Sequence, residues 1–346
     1  MLAIRKLARG VANVAVEELP APVAGPEEVV AEVDSAGICG TDLHIYLDEF
    51  ETAPPVTIGH EFSGRIVEVG KSVRDWQPGE RVTAGTYFST CGHCRPCREG
   101  RPNLCPERQS IGSKRDGAFA RFIVLPAKNL YRVPDEVDLE SAALTEPLAC
   151  TVHGILSVAK VQAGDNVAIT GPGPIGLLAL QLAKVAGATV AMVGTDVDHE
   201  RLELAKELGA DHTVDVTGSS NLQTLVQDLF HAEGADLVVE CSGAGPAADT
   251  LLRLVRRGGR FCQMGLFGRP INWNQDLVCY KELTVTGTNA SVASAWPRAL
   301  KLMAEGRIQV RQLVTHRFSL TAWDQALKVA QMKQGVKILL KPTADF

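Results

Sequence analysis

Four of the chain's nine cysteines fall in "CGHCRPCREGRPNLC", residues 91 to 105. They are spaced Cys91-x2-Cys94-x2-Cys97-x7-Cys105. Two-residue gaps let successive thiolates converge on one tetrahedral ion, with Zn–S bonds of about 2.3 Å. Disulfides between residues three apart would close small, strained loops. An iron–sulfur cluster is the other metal reading. Zinc is preferred because it closes a four-thiolate tetrahedron without assembly machinery. Four thiolates outweigh the charge of one Zn²⁺, and Arg95, Arg98 and Arg101 lie in the loop to offset the excess. A site with no open position is structural, and here it holds a lobe with few apolar residues.

A second set of donors is dispersed. It comprises Cys39, Thr41 and His44 in "GICGTDLHIY", His60 and Glu61 in "IGHEFSG", and Glu146 in "TEPLACTVHG". Singly, each reads as packing or as surface. Together, one thiolate, one imidazole and one carboxylate with an exchangeable position suit a catalytic zinc. Such an ion is a Lewis acid, and it lowers the pKa of bound water to about 7.

A third motif carries cofactor chemistry. "NVAITGPGPIGLLAL" places Gly171, Gly173 and Gly176 in G-x-G-x-x-G spacing, with Pro174 and Ile175 between the last two glycines. It follows an expected strand and opens an expected helix, the context that gives the pattern meaning. Gly171 permits the tight turn, Gly173 leaves room for a pyrophosphate, and Gly176 lets helix and strand approach. Amides at the helix N-terminus then face the phosphates. Pro172 and Pro174 remove two donors and stiffen the turn. Asp196 follows Gly176 by 20 residues, the place for an acid that binds the adenosine ribose and repels a 2′-phosphate. That favours NAD over NADP, although Arg201 is placed to reach a phosphate. Asp198 reads as a helix cap.

The elements around these motifs fall into three pieces. Residues 1–146 are expected to be mostly β, from β-branched runs such as "EEVVAEVDSAGI", "FSGRIVEVG" and "AFARFIVL". Residues 88–107 form the cysteine lobe. Over 147–285, strands such as "NVAIT", "TVAMV" and "ADLVVEC" alternate with helices "PIGLLALQLAKVAG", "DHERLELAKELG", "LQTLVQDLFHAEG" and "AADTLLRLVRRGG". Regular alternation implies a parallel sheet covered on both faces. Residues 286–346 add helices near 293–305 and 322–333 and a final strand, "VKILLKP".

At 346 residues, two domains are expected. The net charge of −5, with cationic residues scattered, speaks against nucleic acid as a partner. The N-terminus "MLAIRKLARG" is a poor secretory signal, and the apolar stretch 167–193 is too interrupted to span a membrane. Nine cysteines without a signal point to a reducing cytoplasm.

In their order along the chain, these motifs resemble the zinc-dependent medium-chain alcohol dehydrogenases. "GHEFSGRIVEVGKSV" fits the signature G-H-E-x2-G-x5-G-x2-V through Gly59, His60, Glu61, Gly64, Gly70 and Val73. The resemblance covers essentially the whole chain. It implies an α/β fold: a GroES-like, mostly-β catalytic domain over 1–146, and a Rossmann doubly wound parallel-sheet domain over 147–285. Residues 286–346 would return to the catalytic domain.

The resemblance also implies two zinc ions per chain. Cys39, His60 and Glu61 would hold the catalytic one, with Glu146 binding through water or directly in another state. "EP" at Glu146 is similar to sorbitol and other polyol dehydrogenases, whereas "GICGTDLHIY" is close to threonine dehydrogenases. The implied reaction moves a hydride from a secondary alcohol (a polyol, sugar alcohol or sugar acid) to NAD. Thr41 would be the hydroxyl beside the alkoxide. His44 would be the terminal base, reached through the nicotinamide ribose, and imidazole titrates close enough to neutrality for that task. His153 reads as structural. A homo-oligomer is expected, a tetramer by family analogy. L-Threonine 3-dehydrogenase is the alternative enzyme. The alternative of another class is a non-catalytic NAD-binding zinc protein, which needs neither Thr41 nor His44.

Overall fold

The structure, a computed structural model, describes residues 1–217, 228–230 and 233–343. The chain divides into two compact units. The first comprises 1–149, 292–306 and the segment from 310 onward; the second comprises 150–291 and 307–309.

In the first unit the strand Glu28–Gly37 is central. Its valines and alanines are buried, as the β-branched run predicts. It pairs antiparallel with Glu61–Val69, with Phe122–Pro126 and with Lys337–Leu340. The sheet continues outward through Arg81–Ala84 to Leu130–Arg132 on one side. On the other it reaches Val314–Phe318, which runs parallel to Lys337–Leu340. Val29, Val33, Phe62, Ile66, Phe119, Ile123 and Trp323 fill the core beneath it. Each such side chain contributes about 1.5–3 kcal/mol on burial. The last strand is thus an interior strand, and it carries Lys337 to the end of Glu28–Gly37, where Ile38 N–H bonds to the Ile338 carbonyl at 2.9 Å.

The second unit is a sheet of six parallel strands. Their spatial order is His212–Asp215, Thr189–Gly194, Asn166–Thr170, Ala235–Glu240, Val255–Gln263, Thr284–Gly287. Numbered along the chain this is 3-2-1-4-5-6, the doubly wound order. The helix Pro174–Val185 follows the first strand, and its residues Gly176 to Ala183 are all buried. Its composition, apolar apart from Gln181 and Lys184, is the reason, and the buried Gln181 accepts the Gln309 amide at 2.7 Å.

Two expectations change. The helix begun by "AADTLLRL" stops at Leu254, and "VRRGG" belongs to the strand Val255–Gln263. Lys281 Nζ donates to the carbonyls of Leu252, Arg253 and Val255 at 2.6–3.0 Å, capping the helix end from outside. Gly258, at φ +67, is also foreign to a right-handed helix. The expected helix "LQTLVQDLFHAEG" lies mostly outside the described residues; 228–230 are helical. No helix among the described residues is long and apolar enough to cross a membrane.

Candidate active site

Cys39 caps the helix Gly40–Tyr46, where the chain leaves strand Glu28–Gly37 in extended conformation. His60 immediately precedes strand Glu61–Val69, and Glu61 stands opposite Gly37 in the antiparallel register. The Cys39 Sγ, a His60 ring nitrogen and a Glu61 carboxylate oxygen therefore meet, all within 4.8 Å of one another. Gly37 is required for this. A Cβ there would sit 2.3 Å from Glu61 Oε2.

Charge is packed densely around the three. Lys337 Nζ donates to Glu61 Oε2 (2.7 Å) and to the Ile38 carbonyl (3.0 Å), and both side chains of the ion pair are at most 2% exposed. Burial works hardest against the lysine's charge, but Glu61, Cys39 and Glu146 outweigh it and raise its pKa. Asp42, wholly buried, accepts the Cys39 N–H with Oδ2 at 2.8 Å, the reciprocal arm of a capping box. Its Oδ1 lies 3.8 Å from His60 Nδ1 and makes no hydrogen bond among the described residues. Burial raises the Asp42 pKa. For His60, burial again opposes the charged form most, yet Cys39, Asp42 and Glu146 together lift its pKa well above the usual imidazole range. A half-buried pocket in which imidazole is driven to hold a proton is one that favours a cation. A soft thiolate, an imidazole and a carboxylate fit zinc, which would replace that proton.

Glu146 is buried at the start of the helix Thr145–Thr151. Its charge acts on His60 and Lys337, but it stands outside the three donors within 4.8 Å. Thr41 Oγ1 lies 3.7 Å from Cys39 Sγ. His44, one turn further along the same helix, has Nδ1 2.7 Å from Glu49 Oε2, which orients the ring. His153 is buried in the π-helical continuation of that 145–151 helix, residues Val152–Val158.

The cysteine lobe is built differently. Cys91, Cys94, Cys97 and Cys105 bring their sulfurs within 4.8 Å of one another. Cys91 and Cys105 Sγ are 3.6 Å apart, close to the edge of about 3.8 Å expected for a zinc–thiolate tetrahedron. Amides donate to sulfur: Cys94 N to Cys91 Sγ at 3.3 Å and Cys91 N to Cys105 Sγ at 3.4 Å. The Cys94 amide is the main reason the Cys91 thiol is pulled down to about 6. Arg95 does not serve the sulfurs; its Nε turns to Glu99 at 2.7 Å. Between residues 91 and 107 only Asn103 and Cys105 are buried, so apolar packing holds this lobe only weakly.

In the second unit the glycine turn has the shape its spacing demands. Gly171 has φ +82, and a Cβ on it would meet Ser242 backbone at 2.7 Å. A Cβ on Gly176 would meet the Gly171 carbonyl at 2.0 Å, whereas one on Gly173 would point into open space. Gly173 caps the helix, and Pro174 and Ile175 are its first residues. A pyrophosphate fits such a cradle. Asp196, exposed after strand Thr189–Gly194, donates its amide to Thr217 Oγ1 at 2.8 Å and accepts the Val197 N–H on Oδ1 at 2.9 Å. Asp198 occupies the N-cap position of the helix His199–Glu207, but its side chain makes no hydrogen bond to that helix. It accepts from the Thr195 amide and hydroxyl instead, at 3.1 and 3.0 Å. Arg201 lies 3.6 Å from Asp198 Oδ1 and is turned toward it.

Sequence reasoning missed Lys337. Its only local signal is a lysine heading an otherwise apolar strand, "KILL", buried at every position.

Residues 25–135 match the family model "Alcohol dehydrogenase GroES-like domain", and 174–305 match "Zinc-binding dehydrogenase". A sorbitol dehydrogenase of Halalkalibacterium halodurans is 42% identical over 343 residues, 99% of each chain. An L-threonine 3-dehydrogenase of Xanthomonas campestris is 38% identical, over 94% of this chain and 95% of its own. Among solved structures, a zinc-binding dehydrogenase from Sinorhizobium meliloti with NADP bound superposes with TM-score 0.91 at 35% identity, over 99% of each chain. The chain belongs to the zinc-dependent medium-chain alcohol dehydrogenases, oxidoreductases that act on a CH–OH group with a nicotinamide dinucleotide.

Proposed function

We propose that the protein oxidises a secondary alcohol of a polyol or related sugar derivative, with NAD as acceptor. Cys39, His60 and Glu61 are the ligands of a catalytic zinc, Glu146 an alternate or water-bridged one, and Cys91, Cys94, Cys97 and Cys105 hold a structural zinc. The convergence of the first three donors within 4.8 Å, in a half-buried pocket whose acidic groups raise the pKa of His60, carries the reading. Zinc bound there would polarise the substrate hydroxyl as a Lewis acid.

The chain's own groups supply the rest. Lys337 holds one Glu61 oxygen, and the Asp42 carboxylate, 3.8 Å from His60 Nδ1, acts on the imidazole through its charge. Thr41 would relay the hydroxyl proton, accepting it while it gives up its own toward His44. His44, steadied by Glu49, is the base that passes it to water. Gly171, Gly173, Pro174, Ile175 and Gly176 seat the pyrophosphate. Asp196 receives the ribose hydroxyls and sets the preference for NAD. Arg201, turned toward Asp198, would act on a 2′-phosphate only after giving up that partner.

Glu146 followed by proline and the sorbitol dehydrogenase relative favour a polyol. The threonine dehydrogenase relative makes L-threonine the second reading. Nine cysteines, an odd number with four in metal-ligand spacing, favour a reducing cytoplasm, and analogy with polyol dehydrogenases favours a tetramer. The test is a panel of polyols, sugar acids, other secondary alcohols and L-threonine with NAD or NADP, alongside metal counting. We expect two zinc ions per chain and NAD reduction with a polyol. Turnover of threonine alone would select the second reading. NAD binding without any turnover would sink the enzyme assignment.

A further inference from the structure

The strand Ala235–Glu240 ends on a carboxylate that is completely buried and that the chemistry above does not use. Glu240 Oε1 accepts from the Ser242 amide (2.8 Å), the Ser242 hydroxyl, the Gly243 amide (3.1 Å) and Thr170 Oγ1 (3.4 Å). Its Oε2 accepts from Gln263 Nε2 (2.8 Å) and the Gly243 amide (3.2 Å). Among the described residues, none of its hydrogen-bond partners is cationic. Burying a carboxylate is costly, and here only oriented dipoles offset the cost.

The donors come from the C-terminal ends of three neighbouring strands. Thr170 ends Asn166–Thr170 and leads directly into Gly171. Gln263 ends Val255–Gln263. Ser242 and Gly243 form the turn after Glu240 itself, and Gly243 has φ +65. That turn is the wall against which Gly171 is pressed, since a Cβ on Gly171 would strike Ser242 Cα and N at 2.7 Å. The Glu240 main chain joins in: its carbonyl accepts the Met264 and Gly265 amides, both at 2.9 Å. Gly265 has no room for a Cβ, which would lie 2.6 Å from Glu240 Oε2.

We infer that Glu240 is a positioning residue for the dinucleotide. Its carboxylate draws the 241–243 turn inward and sets it as a rigid backstop for the Gly171 turn. The direction of the helix amides from Gly173 onward depends on that turn. The inference rests on the dinucleotide role proposed for the glycine loop. It adds that the pyrophosphate cradle is preformed by a carboxylate behind it, whose charge is screened by the amides of residues 242 and 243. A network satisfied at every donor is rigid, and one broken donor pair deforms it.

The experiment compares wild type with Glu240→Gln and Glu240→Asp in the zinc-loaded protein. Kd is measured for NADH and for ADP-ribose, and steady-state kinetics are run in both substrates. Gln presents an amide N–H₂ to donors that need an acceptor. Its Kd for NADH and ADP-ribose and its KM for NAD should rise about 10- to 100-fold. The kcat at saturating NAD, the KM for alcohol and the zinc content should stay within about twofold. Asp, which keeps the charge, should recover part of the loss. Wild type that binds neither NADH nor ADP-ribose would overturn the dinucleotide reading itself. Wild-type binding with equal affinity in Glu240→Gln would overturn only the positioning role, as would an equal fall in kcat and in affinity for both substrates. Should Glu240→Gln fail to fold, Gln263→Met decides. A Kd for NADH raised about threefold or more supports the role, and an unchanged Kd rejects it.

Discussion

The two cysteine-containing donor clusters are made from opposite materials. The lobe at residues 91–105 takes its four sulfurs from one short segment, leaves most of its side chains exposed, and gathers amides rather than side chains around the sulfur. The Cys39–His60–Glu61 cluster draws on a helix cap and a strand start in the first unit, is half-buried at Cys39 and His60 and buried at Glu61, and is braced by the buried Lys337 and Asp42. In the lobe, an ion would do the work of a missing core. In the pocket, the core already holds the ligands in place, and an ion would add chemistry without adding much order. Structural and catalytic zinc differ in the same way.

The largest effect that separates the clusters is expected from paired variants. Cys39→Ser should lower kcat/KM by roughly a thousandfold or more while its thermal midpoint stays within a few degrees. Cys94→Ser should lower the midpoint by about 5 °C or more and lose one zinc, with activity per folded molecule largely kept. Unfolding of the first variant, or an unchanged midpoint in the second, would erase the distinction.

Lys337 sharpens the comparison, because the lobe has no counterpart to it. Lys337→Met leaves Glu61 buried without its cation, a change that costs about 3–5 kcal/mol when nothing else compensates. Chemical denaturation of the apoprotein should show that loss, and Lys337→Met/Glu61→Gln should restore part of it. Equal stability of apo wild type and Lys337→Met would mean that the pocket is not prestressed by charge.

The smallest effect concerns the frame of the first unit. Glu140 accepts from Arg317 Nε (3.0 Å) and Nη2 (2.8 Å), and Lys341 lies 3.4 Å away. The Arg317 hydrogen bond chiefly holds the Glu140 pKa below the ordinary carboxylate value. A carboxylate with a depressed folded pKa stabilises fully above its unfolded pKa of about 4.3, and the benefit disappears as pH falls through the lower folded value. Glu140→Gln should therefore cost at most about 1 kcal/mol at neutral pH and nothing in strong acid, read from unfolding midpoints across pH.

Legibility followed the same divide. Cys91 to Cys105 and Gly171 to Gly176 were readable because the ligand or turn geometry is encoded by neighbours in the chain. The fold class was readable from β-branched runs and their alternation with helices. Cys39, His60 and Glu61 needed the family resemblance, since nothing in their spacing says that they meet. Lys337 was hidden, as its partner is 276 residues away. "VRRGG" misled because propensity continues a helix that Lys281, arriving from another segment, cuts off. Asp198 stands at the expected helix start, but its carboxylate serves Thr195 in the turn before the helix, a partner only one turn away that the cap rule does not single out.

The placement of Lys337 has a consequence for biosynthesis. A ribosome delivers Cys39, His60 and Glu61 early and the lysine that balances Glu61 only near the completion of residue 340. Until then, among the described donors, only the His60 imidazole can offset the charge of the thiol and the carboxylate. Arrival of the last strand is the moment at which Glu61 gains its buried partner and the pocket is complete.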